Sequence, residues 1–218
     1  METTRSGACA MAAQPPGPRR GMPEAERRDY LLAVAHDVFV EGGYAAANMD
    51  EVARAAGMSK KTLYQLFASK AALFEAVVTH HLAKLRAEVD DTGLSLEEAL
   101  VRRLLAPAML LLSTPQIGLF RLVSAEGGRY PEVAEAFHRA GPGNCESGLE
   151  RWISEQVAAG RLRLDNAKDA TDMLFGMAIG VTHIKLLLRL RETPPAEQIQ
   201  AQIRRAVAIF LNGCATGA

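Results

Sequence analysis

Residues 48–67 read Asn-Met-Asp-Glu-Val-Ala-Arg-Ala-Ala-Gly-Met-Ser-Lys-Lys-Thr-Leu-Tyr-Gln-Leu-Phe, which predicts two short helices joined by a tight turn. Asn48 is a favourable N-cap, and Glu51 three residues later completes the pattern of a capping box. Gly57 follows the first helix where a residue at positive φ commonly ends one. Ser59 can cap the second helix. The stretch is therefore predicted to form a helix-turn-helix corner.

The second helix of this corner combines a buried side, predicted for Leu63 and Phe67, with a polar side that carries cations, hydroxyls and an amide. Such groups contact phosphates and base edges of DNA, although a basic first turn that is merely solvated has the same composition. A second basic cap follows at Ser69 and Lys70. The residues predicted to bind DNA are Asn48, Lys60, Lys61, Thr62, Tyr64, Gln65 and Lys70.

The region from about residue 25 to 85 resembles the DNA-binding domain of the TetR family of bacterial transcriptional regulators. The residues that carry the resemblance are Gly43-Tyr44, Val52-Ala53, Ala56-Gly57-Met58-Ser59, Thr62-Leu63-Tyr64, Phe67 and Ser69-Lys70. In this family Thr62 and Tyr64 would grip phosphates, and Lys61 would stand where a small residue is usual. Further along, 119–123 and 127–131 resemble an AefR-like or AcrR-like branch.

Helical periodicity continues to the C-terminus without a convincing strand, so the predicted fold is all-α. An Ala-, Gly- and Pro-rich tail is predicted to be disordered over 1–23, and Met1, Met11 and Met22 leave the start codon open. We expect a DNA-binding domain over 24–85, with the helix-turn-helix motif at 48–67. An effector-binding and dimerisation domain is expected over 86–218.

The composition is compatible with DNA binding, and the sequence lacks motifs for metal binding or catalysis. The 25 basic and 25 acidic residues give a net charge of +0, and a neutral chain binds DNA only if its cations cluster. The cysteines and histidines lack metal-ligand spacing, and no phosphate-binding loop or nucleophile motif is present. No metal or cofactor is therefore expected. The apolar run 173–188 contains His183 and Lys185, so we expect a core or interface helix and no membrane partner. The scattered cysteines are expected to be free thiols, and with the resemblance to bacterial regulators this implies a bacterial cytoplasmic location.

The C-terminal half is rich in apolar and Met-bearing helices, which by themselves indicate only a core. The resemblance implies more: an effector pocket between the middle helices and a homodimer built on the last two helices. An effector for that pocket would be a small, largely apolar molecule. The residues proposed for the pocket are His80, Met109, Phe120, Arg121, Trp152, Met173, Phe175, Met177 and His183.

The favoured interpretation is a homodimeric repressor that an effector releases from a near-palindromic operator. One alternative is a DNA-binding regulator whose bundle only dimerises, without a ligand. Another is a helical enzyme, for which no catalytic constellation of residues is visible.

Overall fold

The computed structural model describes residues 23–83, 89–140 and 148–214, so nearly all of the predicted tail lies outside the described residues. The described part of the chain is helical and contains no strand, which confirms the predicted fold class. The helices are α1 (Glu24–Gly42), α2 (Met49–Ala55), α3 (Lys60–Leu66), α4 (Lys70–Ala83), α5 (Leu96–Leu111), α6 (Thr114–Glu126), α7 (Pro131–Ala140), α8 (Gly148–Ala158), α9 (Ala167–Phe175), α10 (Val181–Leu187) and α11 (Ala196–Cys214).

Side-chain caps set where several helices begin. Asn48 Oδ1 accepts the Glu51 N–H at 2.9 Å, and Ser59 Oγ accepts the Thr62 N–H at 3.1 Å. These bonds satisfy N–H groups that have no partner inside the helix. The predicted box at Asn48 is half formed, because the Glu51 side chain does not return a bond to Asn48. Ser95 and Glu98 form a complete capping box at the start of α5.

One hydrophobic core joins the helix-turn-helix motif to α1, α4, α6 and α7. Its side chains run from Leu31 and Phe39 on α1 to Phe74 on α4, and then continue into Leu119 of α6 and Val133 of α7. Helix α7 packs along α4, and α6 crosses α1 at Gly118. The predicted boundary near residue 85 therefore does not divide the packing, since α6 and α7 complete the core of the N-terminal helices.

A second core fills the space between α5, α8 and the last three helices. Leu104 of α5, Ile153 of α8 and Ile203 of α11 are fully or almost fully buried in it. Helix α5 runs through Pro107 and pairs with α11. This bundle lies on the far side of α6 from the helix-turn-helix motif, because α6 contributes Ile117 to it and Leu119 to the first core.

Helices α9 and α10 form one continuous helix through a π-helical turn at Gly176–Gly180. By length and composition this segment, Ala167–Leu187, could cross a membrane, but the core helix of a soluble protein passes the same test. It packs against α8 and α11 on one side. Helix α10 ends at Leu187, one residue before the end of the apolar run 173–188.

Candidate nucleic-acid interface and interior site

Helix α3 is held by its apolar side and leaves its polar side open. Leu63 is completely buried, and Phe67 immediately after the helix is 5% exposed. The turn before it is closed by Gly57, at φ 66°, and by a bond from the Met58 N–H to the Ala53 carbonyl at 2.9 Å. Tyr64 is 44% exposed, although a tyrosine ring normally seeks burial. The structure thus presents one side of a short, firmly seated helix to a partner.

The polar side chains of α3 differ in whether they already form an ion pair or a hydrogen bond within the protein. Lys60 Nζ lies 2.8 Å from Asp50 of α2, and this carboxylate holds the pKa of Lys60 above its usual range. Thr62 Oγ1 lies 2.8 Å from Ser59 Oγ within the cap. Lys61 and Gln65 are exposed, and within the described part of the chain their side chains have no hydrogen-bond partner. Lys61 and Gln65 can therefore reach DNA without breaking an existing bond.

Lys70 is predicted to bind DNA, but the structure shows its ammonium group bonded within the protein. Its ammonium group donates to the backbone carbonyls of Tyr44, at 2.7 Å, and of Ala47, at 3.1 Å. It also lies 4.4 Å from the centre of the Tyr44 ring. An ammonium group has three N–H donors, so these contacts leave little capacity for a phosphate. In this structure Lys70 fastens the loop between α1 and α2.

The same loop is fastened from the other side by the end of α6. Both carboxylate oxygens of Glu126 accept backbone N–H groups, one from Tyr44 at 2.9 Å and the other from Ala45 at 2.7 Å. Gly43 precedes them at φ 79°, and a Cβ at this position would lie 2.7 Å from Glu126 Oε1. The glycine of the Gly43-Tyr44 pair is thus required by both its backbone conformation and the close approach of Glu126.

Tyr44 is tied to α7 as well. Its hydroxyl donates to Glu132 Oε1 at 3.2 Å, and its ring is 3% exposed among Phe39, Phe74 and Tyr130. Burial, followed by the charge and hydrogen bond of Glu132, raises the pKa of Tyr44 to about 12. The loop that leads into the helix-turn-helix motif is therefore anchored on the corner between α6 and α7. Sequence reasoning missed Glu126 and Glu132, because nothing local links them to residues more than 80 positions earlier.

Three of the predicted effector residues meet where α6 contacts α10. The Phe120 ring lies 4.6 Å from the His183 ring and 4.8 Å from that of Phe137, in both cases edge to face. His183 Nε2 is buried without a hydrogen-bond partner, and desolvation lowers the pKa of this histidine. Arg121 donates to the carbonyls of Leu186 and Leu187 at the end of α10. A cleft of about 410 Å³ opens beside them, lined by Ile117, Arg121, Leu186 and the segment after α10.

Gln116 belongs to this region and was missed from the sequence. It lies one helical turn before Phe120 on α6 and is completely buried, yet neither atom of its side-chain amide has a hydrogen-bond partner. Leaving a buried amide unpaired costs about 1–3 kcal/mol for each group. A glutamine in an amphipathic helix gives no sequence signal of this kind, because its burial depends on the helices that cover it.

The other predicted pocket residues are dispersed. His80 faces α1 and lies 3.5 Å from Asp29, and Trp152 lies in the second core beneath Arg103. Phe175 packs on the second core, and Met109 is 38% exposed. Met173 and Met177 are 67% and 41% exposed on the outside of the long helix, and so line no interior site. These candidates therefore do not form one cluster in the described structure, because helical periodicity cannot tell which apolar stripe a neighbouring helix covers.

Two family models match the chain in the regions just described. Residues 31–77 match the N-terminal model of the tetR family of bacterial regulatory proteins, and residues 98–213 match the C-terminal domain of AefR-like transcriptional repressors. The second match alone covers more than half of the chain. The chain belongs to the TetR family. The resemblance noted from the helix-turn-helix residues is thereby confirmed, and the branch resemblance of the C-terminal half is confirmed with it.

Similar proteins include both activators and repressors. The transcriptional activator FasR of Mycolicibacterium smegmatis is 52% identical over 71 residues, which are 32% of this chain and 32% of FasR. The transcriptional repressor TetR of Mycobacteroides abscessus is 44% identical over 63 residues, 29% of this chain and 33% of that protein. The matches span about a third of these relatives. The solved structure of the flavonoid-responsive regulator FrrA superposes with a TM-score of 0.72 at 28% identity, covering 89% of this chain and 100% of that structure.

Proposed function

We propose that this TetR-family protein is a dimeric, DNA-binding transcriptional repressor that acts in the bacterial cytoplasm and is released from its operator by a small molecule. The observation that carries the DNA-binding part is the polar side of α3, where Lys61, Tyr64 and Gln65 are exposed around a fully buried Leu63. Lys61 would neutralise a phosphate, Tyr64 would donate to one, and Gln65 would read a base edge. We assign the protein no catalytic role.

A dimer is supported by an apolar stripe that has no partner within the described chain. Met173, Met177, Val181, Ile184 and Leu188 recur every three or four residues on the outside of α9 and α10, and all are exposed. Gly176 and Gly180 lie beside this stripe, and a Cβ at either would meet nothing within 4 Å. A second copy could therefore approach the helix closely. The two α3 helices would then enter successive major grooves about 34–36 Å apart.

Control by an effector is supported by the interior site on α6. The buried, unpaired amide of Gln116 and the unpaired His183 Nε2 call for a ligand with hydrogen-bonding groups, while Phe120 and Phe137 provide aromatic edges. We propose an aromatic ligand with hydroxyl groups, a class to which flavonoids belong. Because α6 also holds Glu126, a ligand that displaces α6 would alter the loop ahead of the helix-turn-helix motif. A coupling free energy of about 1–3 kcal/mol would weaken operator binding roughly 5- to 150-fold.

Fluorescence anisotropy with DNA from upstream of the protein's own gene tests the DNA contacts. Tyr64→Phe removes only the hydroxyl and should weaken binding about tenfold or more, since a hydrogen bond to a charged phosphate contributes about 1.5–3 kcal/mol. Lys61→Ala should reduce the salt dependence of binding by about 0.9 in the log–log slope. Arg163→Gln, an exposed change in the connector after α8, is the control and should bind normally. Unchanged affinity and slope in both α3 variants would refute the assignment.

The same assay tests the effector, with quercetin as the first flavonoid probe. Release of the wild-type protein from DNA, and loss of that response in Gln116→Leu with operator affinity retained, is the expected result. Gln116→Leu should also raise the melting temperature, because it replaces an unpaired buried amide by an apolar group of similar volume. A flavonoid series without any effect on DNA binding would favour the alternative in which the bundle only dimerises.

A further inference from the structure

A second cleft lies at the end of the bundle away from Gln116, between the segment before α5, the first turn of α5 and the end of α8. Its volume is about 330 Å³, which is within the range of sites for small molecules. Most of its lining is polar, and it includes Arg103, Trp152, Gln156 and Arg161. None of these residues takes part in the proposed DNA contacts or in the interior site on α6.

Two polar groups at this cleft have unused hydrogen-bonding capacity. Gln156 is 3% exposed and lines the cleft, yet its Oε1 is buried without a hydrogen bond, and its amide forms no side-chain bond within the described residues. Arg103 donates through Nε and Nη2 to Asp91 at 3.0 and 2.8 Å, which leaves Nη1 unpaired in the described part of the chain. Rotation of the Gln156 amide turns either its oxygen or its two N–H donors toward a ligand.

The start of α5 adds further donors. Ser95 and Glu98 cap this 16-residue helix, but the cap leaves the N–H groups of Leu96 and Glu97 without an acceptor inside the helix. Leu96 lines the cleft, so these groups and the positive end of the helix dipole lie at its wall. The capped N-terminus alone would not indicate a ligand. The buried and unpaired Gln156 Oε1 at the same cleft does.

Two cations and two carboxylates line the cleft, so its unused hydrogen-bond donors, rather than a net positive charge, favour an anion. Asp91 is paired with Arg103, whose guanidinium lies 5.2 Å from the centre of the Trp152 ring. Arg161 is exposed at the cleft and adds a cation, while the exposed Glu155 adds the one carboxylate of the lining that no cation pairs in the described chain. We propose that the cleft binds a small molecule through a carboxylate or phosphate group, held by Arg161, Arg103 Nη1, Gln156 and the amides at the start of α5.

Trp152 is the single tryptophan of the chain and lines this cleft, so binding here should change the tryptophan emission. Inorganic phosphate and succinate are titrated into the full-length protein at constant ionic strength, with chloride as the control anion. Binding heat is measured in parallel. At least one of the two oxyanions should change the emission saturably, with half-saturation on the order of 1 mM, and chloride should not. Tighter binding of phosphate would indicate a preference for phosphate groups, and tighter binding of succinate a preference for carboxylates.

Three exposed positions separate a specific site from a general response to anions. Arg161→Gln should raise the half-saturating concentration about fivefold, and Glu155→Gln should lower it about twofold, because the first removes an attractive charge and the second a repulsive one. Arg163→Gln, two residues from Arg161 but outside the cleft, should change nothing. The proposal is overturned if neither anion gives saturable emission or heat up to about 10 mM, if Arg161→Gln responds like the wild type, or if Arg163→Gln weakens binding as much as Arg161→Gln does.

Discussion

Replacing Glu126 by Gln tests whether the loop ahead of the helix-turn-helix motif is held from the C-terminal half of the chain. The carboxylate accepts two backbone N–H groups, at 2.9 Å from Tyr44 and 2.7 Å from Ala45. Glutamine retains one acceptor oxygen but turns its NH₂ group toward the second N–H, so one bond is lost and the other loses its charge. Hydrogen bonds to charged groups contribute about 1.5–3 kcal/mol. Since the Ala45 bond is exposed, we expect a loss of about 2 kcal/mol in the free energy of unfolding.

For a chain of this size the loss corresponds to a fall of about 4–8 °C in the melting temperature. Part of the same free energy keeps the α1–α2 loop in place when DNA binds, so operator affinity should fall about tenfold. Differential scanning calorimetry and anisotropy measure the two effects. Glu135→Gln is the control, because among the described residues this side chain of α7 contacts only the exposed Arg139. The change should shift the unfolding free energy by less than about 0.5 kcal/mol. A Glu126→Gln protein with wild-type melting and operator affinity would show that the contact fastens nothing.

Three further predictions concern charge, protonation and assembly. Asp50→Asn releases Lys60 and removes a negative charge beside α3. Operator binding should therefore tighten about threefold or more, and its dependence on salt concentration should become steeper. An unchanged salt dependence would mean that Lys60 reaches no phosphate. Burial lowers the pKa of His183, so between its folded-state pKa and the ordinary histidine value of about 6.5 the unfolded chain binds more protons. This residue's share of stability is therefore lost as pH falls from about 6.5 through the lower folded-state pKa. Calorimetry between pH 7.5 and 5.5 should therefore show a smaller loss for His183→Gln than for wild type, and an equal loss would contradict the assignment. Ile184→Asp places a charge in the exposed apolar stripe and should give a monomer in sedimentation experiments, whereas an intact dimer would place the interface elsewhere.

Local chemistry made the helix-turn-helix region predictable. Asn48 and Ser59 each cap the helix expected from the sequence, and Gly57 has the positive φ that its position predicts. These features depend on residues within four positions of one another, so no knowledge of the rest of the fold is needed. The exposed side of α3 is predictable from the same few residues. Because Leu63 is buried, only the opposite side of this short helix can face solvent.

Side chains whose partners come from distant helices were not predictable. Lys70 has the same sequence context whether it faces a phosphate or the carbonyls of Tyr44 and Ala47, and only the fold of the α1–α2 loop decides between them. For Met173 and Gln116, the burial expected from the residue type is wrong in opposite directions. The apolar side chain lies on the surface, where we propose that a second copy covers it, and the polar one is enclosed by packed helices.

The core shared by α1, α4, α6 and α7 changes what can be exchanged between relatives of this protein. A fragment that ends near residue 85 would lose Leu119, Leu122, Val133 and Ala136 from the core of its own helices, together with the Glu126 bonds to the α1–α2 loop. Recombining such a fragment with another regulator's C-terminal half would pair two surfaces that never adapted to each other. The unit that can be transplanted with its DNA specificity intact is therefore discontinuous in sequence, because the first four helices must be transferred together with α6 and α7. The alternative is to change only the exposed residues of α3.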